Sequence, residues 1–455
     1  MTAFREESDT LGIVEVPAEA LYGPQTQRAV DNFPVSGLVF PRSFIHALAL
    51  IKKFAAEVNK TLGLLDAEKS GAISTAAQEI LDGKWADQFV VDIFQTGSGT
   101  STNMNMNEVL ASRANEVLTG KRDGKSPIHP NDHVNLGQSS NDVIPSAIHI
   151  AALALIHSSL VPALHHLHKA LSDKASAFDD IKKIGRTHLQ DAVPMVLGEE
   201  FSGYARQIEL GIRRITAAGE SLLELALGGT AVGNRINGHA EFSRKVIGLV
   251  AAHTQLPFKE AQNHFEAQAA QDAAVETSGA LKTVAVSLIK IANDIRWLAS
   301  GPRCGIGEIN IPSLQPGSSI MPGKVNPVLP EAVIQVAFQV IGNDTTIAMG
   351  GQSGNFELNV ALPVIAYNLL QSITLLSSVV ELFSENCIKG ITANREACAA
   401  NIENSLALAT GLVPHIGYDR AAAVAKKAHE TGRTIREIAS EDKIVPDDLL
   451  DQILE

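Results

Sequence analysis

Apolar residues in the middle of this chain recur on a seven-residue period over a stretch too long for an ordinary globular helix. In residues 271–300, Leu281, Leu288 and Ile295 form one seam and Val284, Ile291 and Leu298 a second. That spacing keeps one face of an α-helix apolar turn after turn, as in coiled-coil-like bundles. Ala285, Ala292 and Ala299 stand beside the seams and are small enough to admit close neighbours. Further helical patterns run over residues 146–176, 195–227, 240–254, 330–349 and 357–385. Most exceed the roughly 8–20 residues usual in globular proteins, so the expected architecture is mainly α, built on a bundle of long helices. Pro363 is expected to kink the last of them unless its neighbours absorb the missing donor.

The chain has 455 residues, more than one hydrophobic core usually serves. Three domains are expected: a mostly helical one over residues 1–138, the long-helix bundle over 139–390, and a small helical one over 391–455. Residues 11–16 suit a short strand pair, and the pattern turns helical from Ser43. The most apolar stretch, residues 358–383, is interrupted by Asn359, Asn368, Gln371, Ser372, Ser377 and Ser378. It reads as a helix buried in protein, and no membrane span is expected. A formal charge of −13 argues against nucleic acid or an anionic membrane as partner, since both call for clustered Lys and Arg. The three cysteines, Cys304, Cys387 and Cys398, have neither metal-ligand nor disulfide spacing. With an acidic N-terminus lacking an apolar h-region, they point to a cytoplasmic protein.

Three polar, Gly-rich loops separate the helices, where chemistry tends to sit. Gly317-Ser318-Ser319-Ile320-Met321-Pro322-Gly323-Lys324-Val325-Asn326-Pro327 sets two hydroxyls, an ammonium and an amide between glycines. That set suits an anion whose charge grows during reaction, although an ordinary mobile loop could carry the same residues. Gly185-Arg186-Thr187-His188-Leu189-Gln190-Asp191 flanks a histidine with hydroxyl and amide donors, and histidine exchanges protons near neutrality. By contrast, His157, His165, His166 and His168 read as surface residues of one helix, with no third ligand to make His165 and His168 a metal site. Gly97-Ser98-Gly99-Thr100-Ser101-Thr102-Asn103-Met104-Asn105 and Gln138-Ser139-Ser140-Asn141-Asp142 each crowd hydroxyls ahead of a helix start. Such starts cap the helix and also attract carboxylates. Dinucleotide, P-loop and iron–sulfur patterns are missing, and no cofactor or metal is expected.

The run 317–327 resembles the signature of the fumarase/aspartase superfamily. Residues 97–105, 138–142, 185–192 and Gly228-Gly229-Thr230-Ala231-Val232-Gly233 resemble its other blocks. So do Tyr22-Gly23-Pro24-Gln25-Thr26-Gln27 and Gly354-Asn355-Phe356-Glu357-Leu358-Asn359, and the likeness spans essentially the whole chain. His188, Gly323, Ser140 and Ile416-Gly417-Tyr418-Asp419 side with the metal-independent (class II) fumarases. Pro327-Val328-Leu329-Pro330-Glu331 and Asn234-Arg235 lean the other way, and an aspartate ammonia-lyase of the same fold is the alternative reading. A crystallin-like protein that kept the fold without turnover is a third.

The resemblance implies a three-domain helical subunit, a homotetramer with a shared central bundle, and reversible hydration of fumarate to malate at sites drawn from three subunits. It implies Ser318 as base, His188 as the group exchanging the oxygen-side proton, and Glu331 as carboxylate partner of His188. Lys324 and Asn326 then hold one carboxylate, while Ser98, Thr100, Ser139, Ser140, Asn141, Thr187 and Ser319 orient the rest. A second anion site is implied at His129, Asn131 and Asp132, although Ser126 stands where a basic residue is usual. A small dicarboxylate would be repelled by the overall charge, so the site must supply local positive potential.

Overall fold

A computed structural model describes residues 3–454. Among them, seventeen α-helices carry the architecture, and the strands form only two-stranded ribbons. The mainly α expectation therefore holds. Helix Asp272–Leu298 buries both seams: Leu281, Val284, Leu288, Ile291 and Ile295 are at most 1% exposed. Ala285 and Ala292 beside them are fully buried.

The chain divides into two compact units. One comprises the chain up to Pro162 together with Arg213–Ala285 and Phe338–Ser377. The other comprises Ala163–Ile212, Val286–Ala337 and the chain from Ser378 onward. Every boundary falls inside a long helix. In the first unit, helix Arg42–Thr61 packs on helices Ala67–Leu81, Ser140–Leu155 and Phe242–Thr254. Phe44, Leu48, Ile51 and Ala55 repeat at helical spacing along its buried face. Each large apolar side chain there contributes about 1.5–3 kcal/mol of burial. In the second unit, Leu408, Leu412, Val424, Ile435, Ile438 and Leu450 form a core cluster of their own near the C-terminus.

Helix boundaries depart from the periodicity in instructive ways. Pro363 is the second residue of helix Leu362–Asn386, where a missing N–H costs nothing, so no kink is called for. The side-chain carbonyl of Asn359 accepts from Ala361 N–H at 2.8 Å just ahead of that helix. The first long helix starts at Ser140 rather than 146 and continues through Pro145, a π-turn at Ile156–Leu160 and Pro162 to Ala177. Met195 and Val196 belong to a strand, and the helix after them is Leu197–Gly219.

Two stretches, Ser140–Ala177 and Leu362–Gly390, are long and apolar enough to cross a membrane, which corrects the expectation that none would be. The polar residues are too few to lower the mean hydropathy of helices so rich in Ala, Leu and Ile. However, 61% and 56% of their most apolar windows lie buried within the protein. Polar groups there find protein partners: Asn343 donates to Gln371 Oε1 at 2.9 Å and Ser372 Oγ at 3.0 Å.

Arg113 joins helix Thr100–Thr119 to helix Ala67–Leu81 through a two-pronged bond to Glu79, at 2.7 and 2.9 Å. The Arg113 guanidinium holds the Glu79 carboxyl down at about 2, outweighing its partial burial. Because the folded pKa is depressed, the stabilisation is present above the unfolded value near 4.5 and lost as pH falls toward 2. Glu79→Gln is expected to lower stability at pH 7 by about 2 kcal/mol and to flatten stability between pH 4.5 and 2. Urea unfolding at a series of pH values measures both.

Candidate active site

In the first unit, two helix starts converge. Thr100 opens helix Thr100–Thr119 and Ser140 opens helix Ser140–Leu155, and their hydroxyls lie 2.7 Å apart. Ser98 Oγ reaches Thr100 Oγ1 at 2.9 Å, extending the hydroxyl chain. Ser139 is the N-cap, its Oγ accepting from Asn141 N–H at 3.2 Å. Asn141 in turn donates to Ala231 carbonyl at 2.8 Å, which ties in the loop at 228–233. Ser98, Thr100, Ser139, Ser140 and Asn141 are thus brought together. The N–H groups that open a helix lack intrahelical partners, so two adjoining starts make a place suited to a carboxylate. Gly97 is required here for space: a Cβ would sit 1.8 Å from Val360 carbonyl oxygen, whose segment also donates Leu362 N–H to Gly97 carbonyl at 3.0 Å.

Asp142, three residues after the cap, completes a capping box by accepting from Ser139 N–H at 3.0 Å. Its other oxygen accepts from Gly228 and Thr230 N–H, both at 2.9 Å. Complete burial pushes this carboxyl up to about 6 despite those donors and the nearby Lys52. Lys52, also buried, is pushed down to about 7 and donates to Asn135 and Gln138.

In the second unit, residues 185–191 are not an irregular loop but the tip of a hairpin. Strands Lys182–Thr187 and Gln190–Val196 pair antiparallel, with Thr187 opposite Gln190. His188 and Leu189 form the two-residue turn, with φ of 56° and 58°. Positive φ at both positions is the type I′ pattern, usually taken by Asn-Gly. A histidine and a branched leucine there carry backbone strain that the flanking strands must hold. Both side chains are exposed, as is Thr187. The hairpin is anchored by Glu308, a carboxylate with no exposed side-chain surface. It takes Arg186 through two bonds of 3.0 and 2.9 Å, Lys183 at 3.2 Å and Asn401 at 3.1 Å. Burial works to raise the Glu308 pKa, yet these partners together hold it below the usual range.

The loop at 317–326 is closed at its base. Gly317 N–H donates to Lys324 carbonyl at 2.9 Å, and Asn326 Nδ2 donates to Gly317 carbonyl at 2.6 Å. A Cβ on Gly317 would come within 2.5 Å of Lys324 carbonyl oxygen, so only glycine closes this loop. Within it, Ser318 Oγ accepts two backbone N–H bonds, from Ile320 at 3.2 Å and Met321 at 2.9 Å. Lys324 is exposed, and with Asn326 and Glu331 it lines a cavity of about 640 Å³. Ser319 is exposed beside Ser318.

Some expected partners stay apart within the chain. Among the described residues, no hydrogen bond or ion pair joins His188 to Glu331. His129 Nδ1 accepts from Asn131 and Asp132 N–H at 3.2 and 3.3 Å, so the ring caps its own turn. Ser126 brings no positive charge to this turn. His165 and His168 join no metal-like group among the described residues; His166 instead lies with Glu381 and Glu385. That group is largely exposed, and Glu385 is already paired with Lys389.

Comparison with known proteins identifies the family. The profile of the lyase family matches residues 12–342, and that of the fumarase C C-terminus matches residues 408–455. The chain is 57% identical to a class II fumarate hydratase of Nitrosomonas europaea, covering 96% of this chain and 95% of that one. It is 53% identical to one of Thermosynechococcus vestitus, covering 97% and 94%. Its fold matches the crystal structure of class II fumarase from Schistosoma mansoni with a TM-score of 0.96 at 40% identity, covering 100% and 98% of the two chains. The chain therefore belongs to the class II fumarate hydratases of the lyase family.

Asp142 and Glu308 were not among the expected site residues. Asp142 had a signal, the Ser-x-x-Asp capping box, but its reach to Gly228 and Thr230 had none. Removing the carboxylate of Glu308 takes from Arg186 both prongs of its fork and leaves buried Lys183 with Glu200 alone, at 3.0 Å. Glu308→Ala is expected to cost about 3–5 kcal/mol in denaturant unfolding, whereas breaking the exposed Arg395–Asp180 pair should leave stability nearly unchanged.

Proposed function

We propose that this chain catalyses the reversible hydration of fumarate to malate, with Ser318 as the carbon-side base and His188 as the oxygen-side acid–base group. The observation that carries the assignment is the pair of N–H bonds to Ser318 Oγ. Preorganised donors aimed at an oxygen stabilise negative charge on it without reorganisation, which is what a serine needs to act as an alkoxide. In the malate-to-fumarate direction, Ser318 takes the C3 proton and its electron pair moves into the adjacent carboxylate, giving a dianionic aci-carboxylate. The C2–O bond then breaks, and protonated His188 delivers its proton to the departing hydroxide, which leaves as water. Lys324 and Asn326 hold the carboxylate that gains charge. Ser98, Thr100, Ser139, Ser140 and Asn141, with Thr187 and Ser319, orient the other end.

Assembly into a homotetramer follows the same reading. Val286, Phe338, Met349 and Leu382 are large apolar side chains left 48–60% exposed on the long helices. Apolar surface on such helices calls for a partner helix, and sites shared among subunits would let Glu331 of one chain meet His188 of another. A cytoplasmic location is supported by three cysteines that are all free. The chemistry uses protein donors alone.

Turnover of malate but not aspartate, unaffected by a strong chelator, is the expected result in a spectrophotometric assay of fumarate formation. Loss of activity on chelation, restored by a metal, would overturn the metal-free reading. His188→Asn should reduce turnover by ~10²–10⁴-fold, and Ser318→Ala at least as much, with substrate binding retained. Ser318→Ala should also suppress exchange of the malate C3 hydrogen with solvent deuterium. Mixed and reassembled, the two variants should regain activity, because one site of a mixed tetramer can draw an intact Ser318 and an intact His188 from different chains.

A further inference from the structure

The 640 Å³ cavity lined by Lys324, Asn326 and Glu331 has a second cation on its wall, Arg296. It stands in the last turn of helix Asp272–Leu298, and its Nη1 donates to Asn293 Oδ1 at 3.0 Å. Its Nε is buried with no hydrogen-bond partner, and no carboxylate lies within ion-pair distance of its guanidinium among the described residues. The other buried-edge arginines of this chain behave differently: Arg186 and Arg113 each grip a carboxylate with two prongs. An arginine fork matches a carboxylate in geometry and charge, and a buried N–H left unpaired is costly. Arg296 thus has the unspent donors of a carboxylate-binding group.

Its position matters for a dianion. The carbonyl end of a helix carries negative potential, and the chain as a whole carries −13. A doubly negative substrate approaching this cavity meets repulsion from both unless a cation offsets it locally. Glu331 lines the same cavity and offsets the charge of Lys324.

We propose that Arg296 recruits the substrate, its guanidinium receiving one carboxylate of the incoming four-carbon diacid in the cavity that Lys324 and Asn326 also line. This rests on the reading of the chain as a fumarate hydratase. Arg296 acts on capture and not on proton transfer, so it governs KM and the salt dependence of kcat/KM while leaving the chemical step to Ser318 and His188. Asn293, by holding Nη1, fixes the direction of the fork.

The test is steady-state hydration of fumarate by the assembled enzyme over about 0.02–0.3 M salt. Arg296→Gln is expected to raise KM roughly tenfold and flatten the salt dependence of kcat/KM, with kcat changed less than about twofold. Arg296→Lys keeps the charge without the fork and should retain the salt dependence with an intermediate KM. Wild-type KM and salt dependence in Arg296→Gln overturn the proposal. So does a loss of kcat and thermal stability at unchanged KM, which marks a purely structural helix-end role. Should Arg296→Gln fail to assemble, Arg296→Lys decides: a raised KM with native kcat supports recruitment, and a native KM removes it. A wild-type protein inert toward fumarate overturns the functional reading as well, whereas an active wild type beside an unaffected variant removes this inference alone.

Discussion

The carboxylate of Asp142 has no access to solvent, and its hydrogen bonds explain much of the first half-site. A charge in that position survives only if donors surround it. It finds them at Ser139 of its own helix start and at Gly228 and Thr230, some ninety residues later. The loop at 228–233 is therefore held against the start of helix Ser140–Leu155, and Asn141 can reach Ala231 carbonyl. Burial opposes both charges, raising the pKa of Asp142 and lowering that of Lys52. Backbone donors make the arrangement tolerable and, in doing so, specify it.

The same device recurs. Glu108, buried in helix Thr100–Thr119, accepts from Gly23, Gln25 and Thr26 N–H and from the Thr26 hydroxyl, at 2.6–3.0 Å. It caps the helix that begins at Pro24, which gives the block at 22–27 a structural reason. Burial pushes its pKa up, as with Asp142. In the second unit, Glu308 gathers Arg186, Lys183 and Asn401 beneath the hairpin that carries His188. Each hub joins segments remote in sequence, and each supports candidate chemistry without belonging to it. Removing the carboxylate of such a hub leaves its buried donors unpaired, which is why these are sensitive positions.

Strain sits where chemistry is proposed. His188 and Leu189 both hold positive φ in a turn that favours Asn-Gly. Ser318 lies in a loop whose base only glycine can close at 317. These conformations are sustained by the paired strands on one side and by the Gly317–Lys324 and Asn326–Gly317 bonds on the other. Rigid support for a strained tip keeps a reactive side chain exposed yet placed.

Periodicity alone was enough to read the long helices, because the burial of Leu281, Leu288 and Ile295 is a local consequence of spacing. The reactive residue types were legible for a similar reason: hydroxyls ahead of a helix start, and a histidine and a lysine in Gly-bounded segments, advertise themselves in sequence. The hairpin at 182–196 was not legible, since its turn breaks the usual residue preference and depends on the Glu308 anchor more than a hundred residues away. The start of helix Leu362–Asn386 was also set from outside the helical pattern, by Asn359 and by a proline tolerated in the first turn. What the chain determined by itself was thus its helical content and its inventory of donors. Only the tertiary structure decided that Thr100 meets Ser140, that Asp142 holds Gly228 and Thr230, and that Arg296 shares a cavity with Lys324. Those are contacts between distant segments, and their energies come from burial and paired charge, which no local pattern encodes.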